Sequence, residues 1–273
     1  MSENKVVLIT GASSGIGKEA ARLLFQKGLK VFGAARNLDK MKELTALGIE
    51  ILPLDITDEK SIENCIKHII DKEHRIDILI NNAGYGSFGA VEVVSIEEAK
   101  RQFEVNLFGL GRMLQKVLPV MRAQNSGRII NISSMGAYFS EPNGGWYHAT
   151  KAALERYSDS LRMEVKRFGI DVVLIQPGMI NTEWQSIAME HLIKTSAGTV
   201  YETSAKKQAI SMTNTYKMAS KPIVVAKTIA KAATKKRPCA RYKTGGYAKL
   251  IIFITRLVPT RLFDYIISKV MND

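Results

Sequence analysis

Tyr147 and Lys151, in the run Gly145-Trp-Tyr-His-Ala-Thr-Lys151, place a phenol and an ammonium on one face of any helix that carries them. A phenol titrates near pH ~10 and a primary amine near ~10.4, so at neutral pH the cation can stabilise a phenolate beside it. Bringing the phenol to neutrality takes about 4 kcal/mol of differential stabilisation. One buried lysine and a nearby cofactor charge are of the right size to supply it. Tyr and Lys at this spacing are common on ordinary helices, so the pair needs support from elsewhere in the chain.

The N-terminal segment supplies it. Lys5-Val-Val-Leu-Ile-Thr10 reads as a strand, Gly11-Ala-Ser-Ser-Gly15-Ile-Gly17 follows directly, and Lys18 to Lys27 reads as a helix closed by Gly28. Strand, glycine loop and helix form a phosphate cradle. Gly11 permits a tight turn, Gly15 lets backbone approach a pyrophosphate and Gly17 allows close helix packing, with the first N–H groups of the helix aimed at the anion. The spacing is TGxxxGxG, one residue longer between the first two glycines than in GxGxxG.

Further elements follow in order: Asp55 after a third strand, Asn81-Asn82-Ala83-Gly84 after a fourth, Asn106 in a long helix, Ser134 after a fifth strand, and Pro177-Gly178 with Thr182 after a sixth. Over roughly residues 5 to 182 this series resembles the short-chain dehydrogenase/reductase family. The resemblance implies an NAD(P)-dependent oxidoreductase interconverting a carbonyl and an alcohol on a Rossmann-type fold, and the length of 273 residues without a visible linker makes 1–273 a single catalytic domain. Tyr147 would act as general acid or base, and Lys151 would lower the phenol's pKa and bond the nicotinamide ribose. Ser134, rather than its neighbour Ser133, would hold the substrate oxygen, and Asn106 would fix a helix kink and a water. The nucleotide would meet Gly11, Ser13, Ser14, Gly15, Ile16, Gly17, Asp55, Ile56, Asn82, Ala83, Gly84, Pro177, Gly178, Ile180 and Thr182. Within the family the chain is most similar to the hydroxysteroid, retinol and acyl-dihydroxyacetone-phosphate reductase branch, and a homodimer or homotetramer is expected. A noncatalytic nucleotide-binding sensor on the same fold is the alternative function.

Coarse patterning agrees with α/β architecture. Strands are expected near 5–10, 29–34, 49–53, 76–80, 127–132 and 170–175, and the resemblance implies a seventh near Cys239 to Tyr242. Val6-Val-Leu-Ile9 and Val172-Val-Leu-Ile175 lack alternation, as strands do when helices cover both faces of a parallel sheet. Ser95 with Glu98 offers a capping box, and Gly169 a stop for the helix of Tyr147. His148 reads as a packing residue, because adjacent helix side chains diverge.

Arg36 stands after the second strand, where an NAD-binding fold places a carboxylate for the ribose 2′-hydroxyl. A guanidinium there suits a 2′-phosphate, so NADP(H) is the expected cofactor, NAD(H) its alternative, and a surface pair with Asp39 the bland reading.

Segment 183–220, with Trp184, Ile187, Met189, Leu192, Ile193, Tyr201, Met212, Tyr216 and Met218, lacks strong periodicity and reads as a substrate lid. With Met135, Tyr138 and Phe139 it favours a lipophilic substrate.

The net charge of +13 is concentrated late: residues 221–273 carry twelve Lys or Arg against two Asp. Lys235-Lys-Arg237 has no aromatic interleaving, which argues against nucleic acid. The extension 246–273 alternates apolar stripes with cations in runs too short to span a bilayer, so it is expected to pack within the chain, meet a second subunit or touch a membrane surface. Cys65 and Cys239 lack metal-ligand spacing, so no metal is expected and a reducing cytoplasm fits. Met1 to Lys5 lead straight into the first strand, leaving no room for a signal peptide.

Overall fold

A computed structural model describes residues 5–272, with side chains described through Val270. Met1 to Asn4 and Asp273 lie outside the described residues, and the expectation of no signal peptide lies there with them. The strands are β1 (Val6–Thr10), β2 (Lys30–Ala35), β3 (Glu50–Pro53), β4 (Ile78–Asn81), β5 (Gly127–Ile132), β6 (Ile170–Pro177) and β7 (Arg241–Thr244). They form one parallel sheet in the order β3-β2-β1-β4-β5-β6-β7. This is a doubly wound Rossmann-type sheet. The seventh strand begins two residues later than expected, and β6 runs on to Pro177.

The helices are α1 (Gly15–Gln26), α2 (Lys42–Ala46), α3 (Glu59–Glu73), α4 (Ile96–Phe103), α5 (Gly109–Ala123), α6 (Gly145–Val165), α7 (Glu183–Ser196), α8 (Glu202–Tyr216), α9 (Pro222–Thr234), α10 (Ala248–Leu257) and α11 (Thr260–Asn272). Apolar side chains from alternate positions of the strands enter two cores, one on each sheet face. Leu8, Phe32, Leu79 and Ile129 pack with Ile66, Leu114 and Leu161 from α3, α5 and α6. Val7, Ile9, Ile80 and Ile130 pack with Ala20, Leu24 and Ile229 from α1 and α9. Burial on both sides is why these strands read as unbroken apolar runs.

Three local expectations need correction. Helix α1 begins at Gly15 rather than Lys18, because extended Ser14 caps it and the last two glycines already form its first turn. Only half of the capping box exists: Ser95 accepts from the Glu98 N–H at 3.2 Å, while the Glu98 carboxylate accepts from the Tyr85 hydroxyl at 2.9 Å. The long helix expected around Asn106 is α4 and α5 joined through a π-helical turn, Glu104–Phe108, so its register changes at the residue of interest. Gly28 (φ 81°) closes α1 in the left-handed region, and Gly169 (φ 69°) closes the 3-10 turn Lys166–Phe168 that continues α6 past Val165.

The order of strands reverses between β1 and β4, since the chain leaves outward from β1 to β3 and returns to the far side of β1 at β4. In such sheets a crevice opens beyond the carboxyl ends of the two strands at the reversal. Thr10 closes its floor by accepting from the N–H groups of Asn82 and Ala83, each at 3.0 Å.

Candidate active site

The glycine loop is held in shape from beneath. Gly11 (φ 67°) and Gly15 (φ 52°) occupy the left-handed region that a Cβ disfavours. A Cβ on Gly17 would stand 2.3 Å from the Gly11 carbonyl and 2.5 Å from Asn82 Nδ2. Gly17 therefore lets the first turn of α1 fold onto its own loop, where the sequence suggested general helix packing. The Asn82 amide braces that loop by donating to the carbonyls of Thr10 and Gly11 at 3.0 and 3.1 Å. A cavity of about 730 Å³ runs over this floor, lined by every site residue named above except Gly17 and Asn106.

At one end of the cavity the walls are basic. Arg36 is exposed and makes no hydrogen bond or ion pair among the described residues; Asp39 pairs with Lys42 at 2.8 Å instead. Lys40 and Arg101, which sequence reasoning missed, join it on the same wall, with Lys40 reaching Glu183 at 3.0 Å. Asp55 faces them. Burial pushes its carboxyl up, but two bonds from Thr57, at 2.9 and 2.7 Å, and the charges of Arg36 and Arg101 outweigh it and keep it below the usual range. A glycine-lined helix start, a bonded carboxylate and an unpaired guanidinium fit a dinucleotide.

Mid-cavity stand Tyr147, Lys151 and Ser134. Helix α6 presents the first two, and a short turn after β5 presents Ser134, whose Oγ accepts from the Gly136 N–H at 3.0 Å. Burial pushes the Tyr147 phenol up to about 12, with the bond to the Ser134 hydroxyl the largest opposing influence and the Glu141 charge raising it further. Burial pulls the Lys151 amine down to about 8 against the upward pull of Glu155. Lys151 Nζ donates to the Ile132 carbonyl at 3.0 Å. At neutral pH the phenol thus keeps its proton and is a hydrogen-bond donor and acid, while the amine is still a cation.

Asn106 lies behind these groups. Its amide accepts from the Tyr85 N–H at 3.0 Å and donates to the Tyr85 carbonyl at 2.9 Å and to Thr150 Oγ1 at 3.2 Å. It ties the π-helical turn to the loop after β4 and to α6. A Cβ on Gly84 would meet Asn106 Oδ1 at 3.0 Å and Lys151 Nζ at 3.9 Å, so these groups converge on one point.

The other end of the cavity is mainly apolar. Phe88, Met135, Phe139, Trp184, Ile187, Met212 and Tyr216 line it, and Ile251, Ile267 and Val270 from α10 and α11 complete the wall. Segment 183–220 is two helices, α7 and α8. Of its residues, Met189 and Leu192 pack in a third core with Phe88 and Tyr147, while Ile193 and Met218 are exposed and Tyr201 reaches Glu92 at 2.6 Å. Tyr138 turns away from the cavity to donate to Glu155 at 3.1 Å. His148 is buried, as a packing residue should be, yet it also lines the cavity. Helix α11 packs on α8, where Ser211 donates to the Val270 carbonyl at 3.0 Å, so the C-terminal extension covers the cavity from within the chain. Its outer face leaves Leu250, Phe253, Leu257, Leu262 and Tyr265 exposed.

A phosphate cradle at the sheet's switch point beside a half-buried Ser134 and a buried Tyr147 and Lys151 defines a nucleotide-dependent oxidoreductase. A model of the short chain dehydrogenase family matches residues 5–193, and the chain belongs to that family. It is 35% identical over 259 residues to the probable short-chain type dehydrogenase/reductase VdlC of Helicobacter pylori, covering 95% of each chain. It is 43% identical over 179 residues, 65% of each chain, to 3-ketodihydrosphingosine reductase of Bacteroides thetaiotaomicron. Among solved structures it is similar to the closed form of serine dehydrogenase complexed with NADP+, at a TM-score of 0.75 and 27% identity over 88% of this chain and 94% of that one.

Proposed function

We propose that this oxidoreductase uses NADP(H) to interconvert a ketone and an alcohol on a lipophilic, long-chain substrate, with Tyr147 as the acid–base group. One observation carries the reading: a single cavity joins a glycine-loop cleft to an apolar chamber, and Tyr147, Ser134 and Lys151 stand where the two meet. The similarity to a 3-ketodihydrosphingosine reductase supports it. The unpaired Arg36, with Arg101 acting on the same Asp55 carboxylate, supports NADP(H), because guanidinium groups match the extra phosphate. When bound, the nucleotide supplies or takes the hydride at carbon.

The chain's own part is proton and oxygen handling. Ser134 and Tyr147 meet the carbonyl oxygen with two hydroxyls, and in reduction the phenol gives its proton to that oxygen as charge develops there. Lys151, a buried cation one helical turn away, stabilises the phenolate left behind. Phe88, Trp184 and the C-terminal helices exclude water from this exchange. The peripheral-membrane and oligomer readings rest on the exposed apolar face of α10 and α11, whose rim carries Lys249, Arg256 and Arg261. Following NADPH absorbance with long-chain 3-ketones tests the reading. We expect turnover that exceeds that with NADH and that falls at least about a thousandfold in Tyr147→Phe. A folded variant with near wild-type turnover removes Tyr147 from the chemistry, and activity confined to short polar carbonyls removes the lipophilic substrate.

A further inference from the structure

The apolar chamber contains a cluster of polar groups that the proton transfer does not use. Glu141 and His148 line it with side chains only 7% and 6% exposed. The Gly136 carbonyl, which can only accept, lies 2.7 Å from His148 Nδ1, so that nitrogen carries the proton. In the neutral ring Nε2 is then an acceptor. It has no hydrogen-bond partner, and the nearest charged group is the Glu141 carboxylate at 3.9 Å, itself an acceptor. The hydroxyl of Tyr216 reaches the same space and also makes no hydrogen bond among the described residues; the Glu141 charge acts on both this phenol and that of Tyr147. Gly144 keeps the approach open, for a Cβ there would stand 2.7 Å from His148 Nε2.

A carboxylate and an imidazole lone pair, both acceptors, thus face the chamber beside a phenol hydroxyl that can donate or accept. Buried acceptors left unpaired are costly, and a buried carboxylate without a cation is more so. A primary ammonium carries three donors and no acceptor, which matches the cluster in number and in charge. We propose that Glu141, His148 and Tyr216 form a subsite for a protonated amine on the substrate, close to the carbonyl that Tyr147 addresses. This rests on reading the chamber as the site of a lipophilic ketone, and it narrows the substrate class to long-chain amino ketones. Glu141 supplies the charge and His148 and Tyr216 the remaining acceptors, while Phe88, Phe139 and Met212 receive the chain.

The test separates binding from turnover. With NADP+ present, decylamine and decanol are titrated against the fluorescence of Trp184, which lies in the chamber with its ring 5.0 Å from that of Tyr147. The amine is expected to bind about tenfold to a hundredfold more tightly than the alcohol, and Glu141→Gln to abolish that difference. Tyr216→Phe, which keeps the ring, is expected to lose a smaller part of it. In the kinetic arm, 2-aminooctadecan-3-one is compared with octadecan-3-one as the ratio of kcat/KM within each protein. That ratio is expected to favour the amine in the wild type and to collapse in Glu141→Gln. Equal binding of amine and alcohol by the wild type, or a preference that survives Glu141→Gln, overturns the subsite. An amine preference in binding without reduction of either ketone leaves the subsite standing and overturns the proposed reaction.

Discussion

Replacing Lys151 with Met should leave the folded protein at least as stable as the wild type at pH 7 while abolishing turnover. Burial lowers the Lys151 amine from its ordinary 10.5 to about 8. Each pH unit of such a difference corresponds to 1.36 kcal/mol, so keeping the side chain charged in the folded state costs about 3 kcal/mol. Methionine is of similar length and carries no charge, so the variant escapes that cost. It also strips the Ile132 carbonyl of its donor, at roughly 1–3 kcal/mol, and the net change at pH 7 falls between about zero and 2 kcal/mol in the variant's favour.

The pH dependence is the sharper readout because it does not involve the carbonyl. Between pH 8 and 10.5 the unfolded wild type holds a proton on this lysine that the folded protein has released. Stability of the wild type relative to the variant therefore rises with pH, by about 2.5 kcal/mol between pH 7 and 10. Urea unfolding followed by tryptophan fluorescence and circular dichroism at intervals over that range measures the difference directly. Other groups titrate in both proteins and cancel. If the two stability curves run parallel from pH 7 to 10, the lysine is not held as a desolvated cation, and its assigned role as the charge behind Tyr147 loses its physical basis.

Arg36→Asp should lower the ratio of kcat/KM for NADPH over NADH by about tenfold to a hundredfold, since a charge-assisted contact becomes a repulsion; an unchanged ratio places Arg36 outside the ribose site. Deleting α11 alone should raise KM for long-chain ketones about tenfold with little change in NADPH affinity, because Ile267 and Val270 leave the chamber while the glycine loop is untouched. The cut belongs before Thr260 and not at Gly246, whose carbonyl accepts from the Met179 N–H at 3.1 Å and so supports the strand end beside Gly178. Co-sedimentation of the intact and shortened chains with anionic vesicles, at low and high salt, measures whether the outer face of α10 and α11 binds lipid; equal behaviour of both chains removes α11 from any such contact.

What could be read from the sequence was chemistry encoded by spacing along one continuous segment. The run Thr10 to Gly17 is strand, turn and helix start in one piece, and the interval from Tyr147 to Lys151 is one helical turn, so both placements were visible without tertiary contacts. Arg101 and Glu141 gave no such signal, and Tyr216 was legible only as one residue of a lid segment. They reach the cavity from α4, from the loop before α6 and from α8, elements separated by up to about a hundred residues of chain. The kink at Asn106 was expected only from the resemblance, and its form was not legible in the residues: a π-helical turn adds a residue without interrupting the apolar pattern on either side. Helices α7 and α8 hid themselves because the third core, the cavity and each other cover several of their faces, and burial on several sides erases the periodicity that marks a half-exposed helix.

The same contrast explains how α6 can offer two costly groups to the cavity and stay rigid. Its buried rear face is tied to three strands. Asn131 on β5 donates to Ser158 at 2.9 Å, Gln176 on β6 donates to Glu155 at 3.0 Å, and Arg241 on β7 donates to Glu155 at 2.9 Å and to both Asp159 oxygens at 2.6 and 2.7 Å. A helix held only by apolar contacts could rotate a few degrees to let Lys151 reach solvent and relieve its desolvation. Directional bonds to three consecutive strands oppose that rotation, because any turn that frees the lysine must break a buried charge-assisted bond on the opposite face. The acidic rear of α6 therefore keeps the amine where the phenol needs it, and Glu155 does so twice, as an anchor and as the negative charge one turn from Lys151 that opposes its loss of the proton.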